Sequence, residues 1–85
     1  MAGFKLTVKN PSGLDARLAG ALVKEAAKCS GRVTIRKEEK AGDAMSIFNI
    51  MALGAKCNEE VEISVEGGDD AAEAAMLEAF AKENI

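Results

Sequence analysis

Glu60-Val61-Glu62-Ile63-Ser64-Val65-Glu66 alternates charged or polar residues with β-branched apolar ones without a break. A period of two over seven residues predicts a strand with one face buried and one face wet. Clean alternation of this kind belongs to an antiparallel sheet covered on one side only. Downstream, Gly67-Gly68 predicts a turn, and Asp69-Asp70 opens a helix in which Asp70 and Glu73 have the spacing of a capping box. Ala74, Leu77, Phe80 and Ala81 form the buried stripe of that helix. Upstream, Ser46 is placed to cap a short helix that Gly54 ends. Ile47, Phe48, Ile50, Met51 and Leu53 make this helix apolar nearly all round. So short a helix cannot bury every such side chain against one sheet, which predicts an exposed apolar patch and a protein partner.

The first half of the chain repeats these patterns. Phe4, Leu6 and Val8 alternate with Lys5, Thr7 and Lys9, predicting a strand that Asn10-Pro11-Ser12-Gly13 breaks. Asp15 is a good helix N-cap, and Leu18, Ala19, Leu22, Val23 and Ala26 recur at helical spacing. Gly20 is costly inside a helix, by up to ~1 kcal/mol relative to alanine, and is expected to allow close packing against the sheet. Ser30-Gly31 closes the segment. Val33 and Ile35 mark a second strand, Lys37-Glu38-Glu39 a polar turn, and Lys40 to Asp43 a short returning strand weakened by Gly42. The predicted order is β-α-β-β-α-β-α. This is an α+β open-faced sandwich, with a four-stranded antiparallel sheet and three helices on one face, forming a single domain over residues 1–85.

Composition excludes several functions. With 85 residues, hydrophobic residues at 48% and charged residues at 29%, the chain has the balance of a small globular protein. Its 11 Lys and Arg form no dense run, the net charge is −3, and all three aromatic residues are Phe, which argues against direct nucleic-acid binding. No apolar run approaches a membrane span, and the beginning lacks the pattern of a signal peptide, so a cytosolic location is expected. Cys29 and Cys57 match no zinc spacing and there is no histidine to complete a site, so neither metal nor cofactor is expected. Both are read as partly buried, reduced thiols.

Two stretches carry more than a fold. Asn10-Pro11-Ser12-Gly13-Leu14-Asp15-Ala16-Arg17 and Ala44-Met45-Ser46-Ile47-Phe48-Asn49-Ile50-Met51-Ala52-Leu53-Gly54, with the element order and length, resemble the HPr family. These are the small phosphocarriers of the bacterial phosphoenolpyruvate-dependent sugar phosphotransferase system. The resemblance implies a carrier or regulatory protein rather than an enzyme. It puts Asp15 at the position of the histidine that takes a phosphoryl group from Enzyme I and passes it to sugar-specific components. It puts Arg17 beside that group as an assisting charge. It aligns Ser46 with the serine that an ATP-dependent HPr kinase/phosphorylase modifies. It assigns partner contacts to Leu14, Ala16, Arg17, Lys24, Ile47, Phe48 and Met51. The departures are as informative. Asp15 replaces histidine, Leu18 replaces a proline, and Met45 and Asn49 stand where many members are basic. In lacking the histidine and keeping the serine, the chain is similar to the Crh branch of the family.

These residues leave distinct readings. Asp15 caps its own helix and pairs with Arg17, or accepts a phosphoryl group as an acyl phosphate, or mimics the phosphorylated carrier as a substitution. The first outweighs the second, because an anionic carboxylate repels a phosphoryl donor. Ser46 is an N-cap or a regulatory site, where a phosphate would meet the helix N-terminus favourably. The expected function is a binding and regulatory module that cannot relay phosphoryl groups. Its partners would be phosphotransferase-system proteins, or the HPr kinase and a transcriptional regulator. The alternatives are a phosphocarrier acting through Asp15 and a partner-binding domain with no phosphotransferase link. A monomer or weak dimer is expected.

Overall fold

The computed structural model describes residues 1–85. Strand β1 (Ala2–Thr7) leads to helix α1 (Ala16–Ala26), then to the hairpin β2 (Arg32–Lys37) and β3 (Lys40–Asp43). Helix α2 (Ile47–Ala52), strand β4 (Glu60–Glu66) and helix α3 (Asp70–Asn84) complete the order predicted from the alternation. The sheet order is β1-β4-β2-β3, antiparallel throughout, with Phe4 opposite Ile63 and Ile63 opposite Ile35. Strand β4 therefore lies inside the sheet, which is why its alternation is the most regular in the chain. Val61, Ile63 and Val65 are fully buried on the helical side, while Glu60 and Glu66 are exposed.

One core of 19 buried residues fills the space between sheet and helices, and it contains no polar or charged residue. Leu18, Leu22, Ile50 and Leu77 reach it from the three helices, and Val33, Ile35 and Ile63 from the sheet. This is the aliphatic core that a chain with three aromatic residues must build. No helix is long and apolar enough to cross a membrane.

Three local expectations are corrected. Asp70 and Glu73 form no capping box. The helix N-cap is Asp69, without a side-chain cap bond, and the Asp70 carboxylate turns back to the Gly68 N–H at 2.9 Å. Glu73 instead reaches another loop, accepting from the Ser30 N–H at 2.6 Å, the Ser30 hydroxyl at 3.0 Å and the Gly31 N–H at 3.1 Å. Its carboxylate gains three donors there, more than a capping box offers. Gly20 does not face the sheet. A Cβ there would lie 3.9 Å from Ile47 Cδ1, so this side of α1 meets α2. Gly42 does not interrupt β3 but makes room above it. A Cβ at Gly42 would come within 2.9 Å of the Asn49 Cβ, so the glycine lets α2 lie directly over the edge strand.

Candidate functional site

The loop after β1 sets the start of α1. Asn10 accepts the Gly13 N–H on its carbonyl at 2.9 Å, and its side-chain amide donates to the Gly13 carbonyl at 2.8 Å. Gly13 has φ 69°, and a Cβ there would collide with the Ala55 carbonyl, so both backbone shape and space require glycine. The next N–H, from Leu14, donates to that same carbonyl at 3.0 Å. Leu14 is 6% exposed and belongs to the core. Expected among the partner contacts, it anchors the loop from beneath instead.

Asp15 follows with extended backbone, and its Oδ1 accepts the Leu18 N–H at 3.0 Å. The second carboxylate oxygen has no hydrogen-bond partner in the protein, and the residue is half-buried. The N–H groups of Ala16 and Arg17 likewise donate to no protein acceptor, and both residues are exposed. The ion pair expected between Asp15 and Arg17 does not form. Residues two apart at a helix start do not face each other, and the Asp15 carboxylate is already turned into the first turn. Arg17 is left with its charge open to solvent. The resulting feature is a helix N-terminus with two free N–H groups, one free guanidinium and a fixed carboxylate.

Helix α2 stands against α1 through the Gly20–Ile47 contact. Ser46 caps it, its hydroxyl oxygen accepting the Asn49 N–H at 3.2 Å, while the Asp43 carboxylate accepts the Met45 N–H at 2.8 Å. Ile50 and Leu53 turn inward, at 0% and 3% exposure. Phe48 is 87% exposed, and Ile47, Met51 and Met45 are each more than 40% exposed. The apolar patch predicted from crowding is therefore present, and its outermost member is a full aromatic ring. Met45 joins it. The sequence signalled that residue only as a lost basic charge, not as part of the surface. Lys24 is exposed on α1 and makes no ion pair.

The far end of α2 is tied to the sheet. Lys37 donates to the Gly54 carbonyl at 3.2 Å and pairs with Glu59 at 3.0 Å. The Lys56 N–H, bound at 2.7 Å, and Lys37 together hold the Glu59 carboxyl below the usual carboxylate range. The Cys57 thiol donates to the Lys9 carbonyl at 3.6 Å. Both cysteines are free, and burial, then the charges of Glu73 and Glu25, push the Cys29 thiol up. No three His, Cys, Asp or Glu side chains come together as a metal site. The surface joins an exposed apolar patch on α2 to a helix start with two free N–H groups and an unpaired guanidinium.

The family model described as "PTS HPr component phosphorylation site" matches residues 3–83. The phosphocarrier protein HPr of Mycoplasma capricolum is 42% identical over 69 residues, covering 81% of this chain and 78% of the relative. The crystal structure of HPr from Thermoanaerobacter tengcongensis superposes with a TM-score of 0.91 at 32% identity, covering 99% of this chain and 94% of that one. The Bacillus subtilis catabolite repression protein Crh, described as a swapped dimer, superposes with a TM-score of 0.78 at 30% identity, covering 100% and 98%.

Proposed function

The chain belongs to the HPr family of the bacterial phosphoenolpyruvate-dependent sugar phosphotransferase system, and on that premise we propose that it is a cytoplasmic, regulatory paralogue that binds proteins but relays no phosphoryl group. The observation that carries this reading is the bond from Leu18 N–H to Asp15 Oδ1, at 3.0 Å. A carboxylate held there brings its own negative charge to the place where an incoming phosphoryl group would need positive potential. The Leu18 N–H then serves Asp15 as a helix cap, while Arg17 and the N–H groups of Ala16 and Arg17 stay without a protein partner. The docking face stays intact, with Phe48, Ile47 and Met51 open to a partner. Regulation falls to Ser46, whose phosphate would sit at the α2 N-terminus and add about −2 charge beside an apolar surface. Partner choice would change with that charge, between phosphotransferase-system components and a transcriptional regulator.

A second reading has one observation in its favour. Asp15 Oδ2 has no protein partner, and Ala16 and Arg17 hold free donors beside it. An acyl phosphate on Oδ2 could use those donors. Phosphosite mapping separates the two. One sample receives phosphoenolpyruvate with Enzyme I, and the other ATP with an HPr kinase. The regulatory reading expects phosphate on Ser46 only. A hydroxylamine-labile phosphate on Asp15 would establish the carrier reading and overturn the first.

A further inference from the structure

The sheet has two edges, and they are finished differently. Strand β3 is four residues long and lies under α2 at the Gly42–Asn49 contact. Strand β1 is six residues long and pairs only with β4. Its outward groups can be located from its neighbours. Val8 bonds inward on both sides, its N–H to the Glu59 carbonyl at 2.8 Å and its carbonyl from the Asn58 N–H at 2.7 Å. Bonding direction alternates along a strand, so Lys5 and Thr7 turn their N–H and carbonyl groups away from the sheet. Lys9 agrees, since its N–H runs outward to the Ile85 carbonyl at 2.8 Å. Chain is therefore already seated on the extension of this edge, while the stretch from Lys5 to Thr7 stays open.

A groove of about 440 Å³ follows this open edge, and the charged side chains that line it are all basic. Lys5, Lys9 and Lys82 line it over a floor that includes Leu6 and Ile85, and no acidic side chain lines it. Lys82 is engaged only loosely, 3.8 Å from Glu78. This is the reverse of the chain's net charge of −3. On its inner edge β1 already pairs with an acidic alternating strand, with Lys5 opposite Glu62 and Thr7 opposite Glu60.

We infer that the free β1 edge is a docking site for an extended, acidic, alternating peptide segment of a partner protein, added as a fifth strand beside Lys5 and Thr7. Main-chain bonds to the edge would provide the affinity, and glutamates facing Lys5, Lys9 and Lys82 the selectivity. A second copy of this chain fits poorly. Two β1 edges paired antiparallel bring lysines against lysines, and like charges opposed across strands repel.

The test uses the full chain and a capped peptide with the sequence Glu-Val-Glu-Ile-Ser-Val-Glu, against a control with lysine in place of each glutamate. Amide signals are followed by NMR with hydrogen exchange. The acidic peptide is expected to slow exchange at Lys5 and Thr7, to leave Ile47 and Phe48 unmoved, and to lose affinity as salt rises. The lysine peptide should give no protection. Thr7→Pro removes an outward donor without touching the β1–β4 ladder and should abolish binding. Lys82→Glu, on an exposed helical position, should weaken it with the fold retained. Absence of protection at millimolar peptide, equal binding of the control, or shifts confined to α1 and α2 would overturn the inference. So would a β1-mediated dimer that protects Lys5 and Thr7 without peptide.

Discussion

Asp15 Oδ1 stands 3.0 Å from the Leu18 backbone nitrogen, so the carboxylate closes the first turn of α1. The same bond governs stability and chemistry at this position. Asp15→Ala should destabilise the protein by about 1 kcal/mol, the usual cost of losing a side-chain cap, while Asp15→Asn should stay close to the parent. Urea unfolding of the three proteins measures the difference. Equal loss in both variants would mean that charge, not the cap bond, holds the turn.

Asp15→His exchanges the carboxylate for an imidazole while keeping the free Ala16 and Arg17 donors and the open guanidinium. If residue 15 alone blocks phosphoryl transfer, this variant should gain an acid-labile phosphate from phosphoenolpyruvate and Enzyme I. Intact mass spectrometry reads the gain. No gain would move the block to Leu18, Met45 or Asn49.

Phe48 and Ile50 separate docking from packing on one helix. Phe48→Ala removes a ring that is 87% exposed and should change stability by no more than about 0.5 kcal/mol, yet it should abolish partner capture. Ile50→Ala empties a fully buried site and should cost about 2–5 kcal/mol. Thermal unfolding and partner titration by calorimetry give the two readouts.

Ser46→Ala should lower stability by about 1 kcal/mol through loss of the bond to the Asn49 N–H. It should also remove all phosphate acquired from ATP and an HPr kinase. Retained phosphorylation in this variant would place the modified residue elsewhere.

The Ser30 N–H, then the Gly31 N–H and the Ser30 hydroxyl, hold the Glu73 carboxyl below the usual carboxylate range. A group whose pKa is lower in the folded state stabilises fully above its unfolded value and loses that contribution as pH falls through the folded one. Acidification below the ordinary glutamate range should therefore loosen the junction between the α1–β2 and β4–α3 loops. Glu73→Gln cannot titrate and should flatten this part of the pH–stability curve. Melting temperatures of both proteins across that range test the sign.

Much of this molecule is legible from local pattern. Alternation in Phe4–Val8, Val33–Ile35 and Val61–Val65 specifies three strands and the face each buries, because side chains in a strand alternate strictly between two faces. Asp15 and Ser46 read as N-caps because a cap bond spans only three residues. The exposed patch on α2 was predictable by counting, since one turn and a half cannot hide five large apolar side chains.

What stayed hidden depends on residues far apart in sequence. Glu73 has the spacing of a local cap, yet its partners Ser30 and Gly31 lie 43 and 42 positions away. Gly20 and Gly42 read as flaws in a helix and a strand until Ile47 and Asn49 are seen above them. The pairing of Asp15 with Arg17 looked natural in sequence and fails in space. By itself, the sequence determined the elements, their buried faces and the family, because periodicity and caps act over a few residues. Only the tertiary structure decided which acceptors Glu73 finds, which way Arg17 is left free and which sheet edge stays open, because those depend on packing between elements that no local pattern encodes.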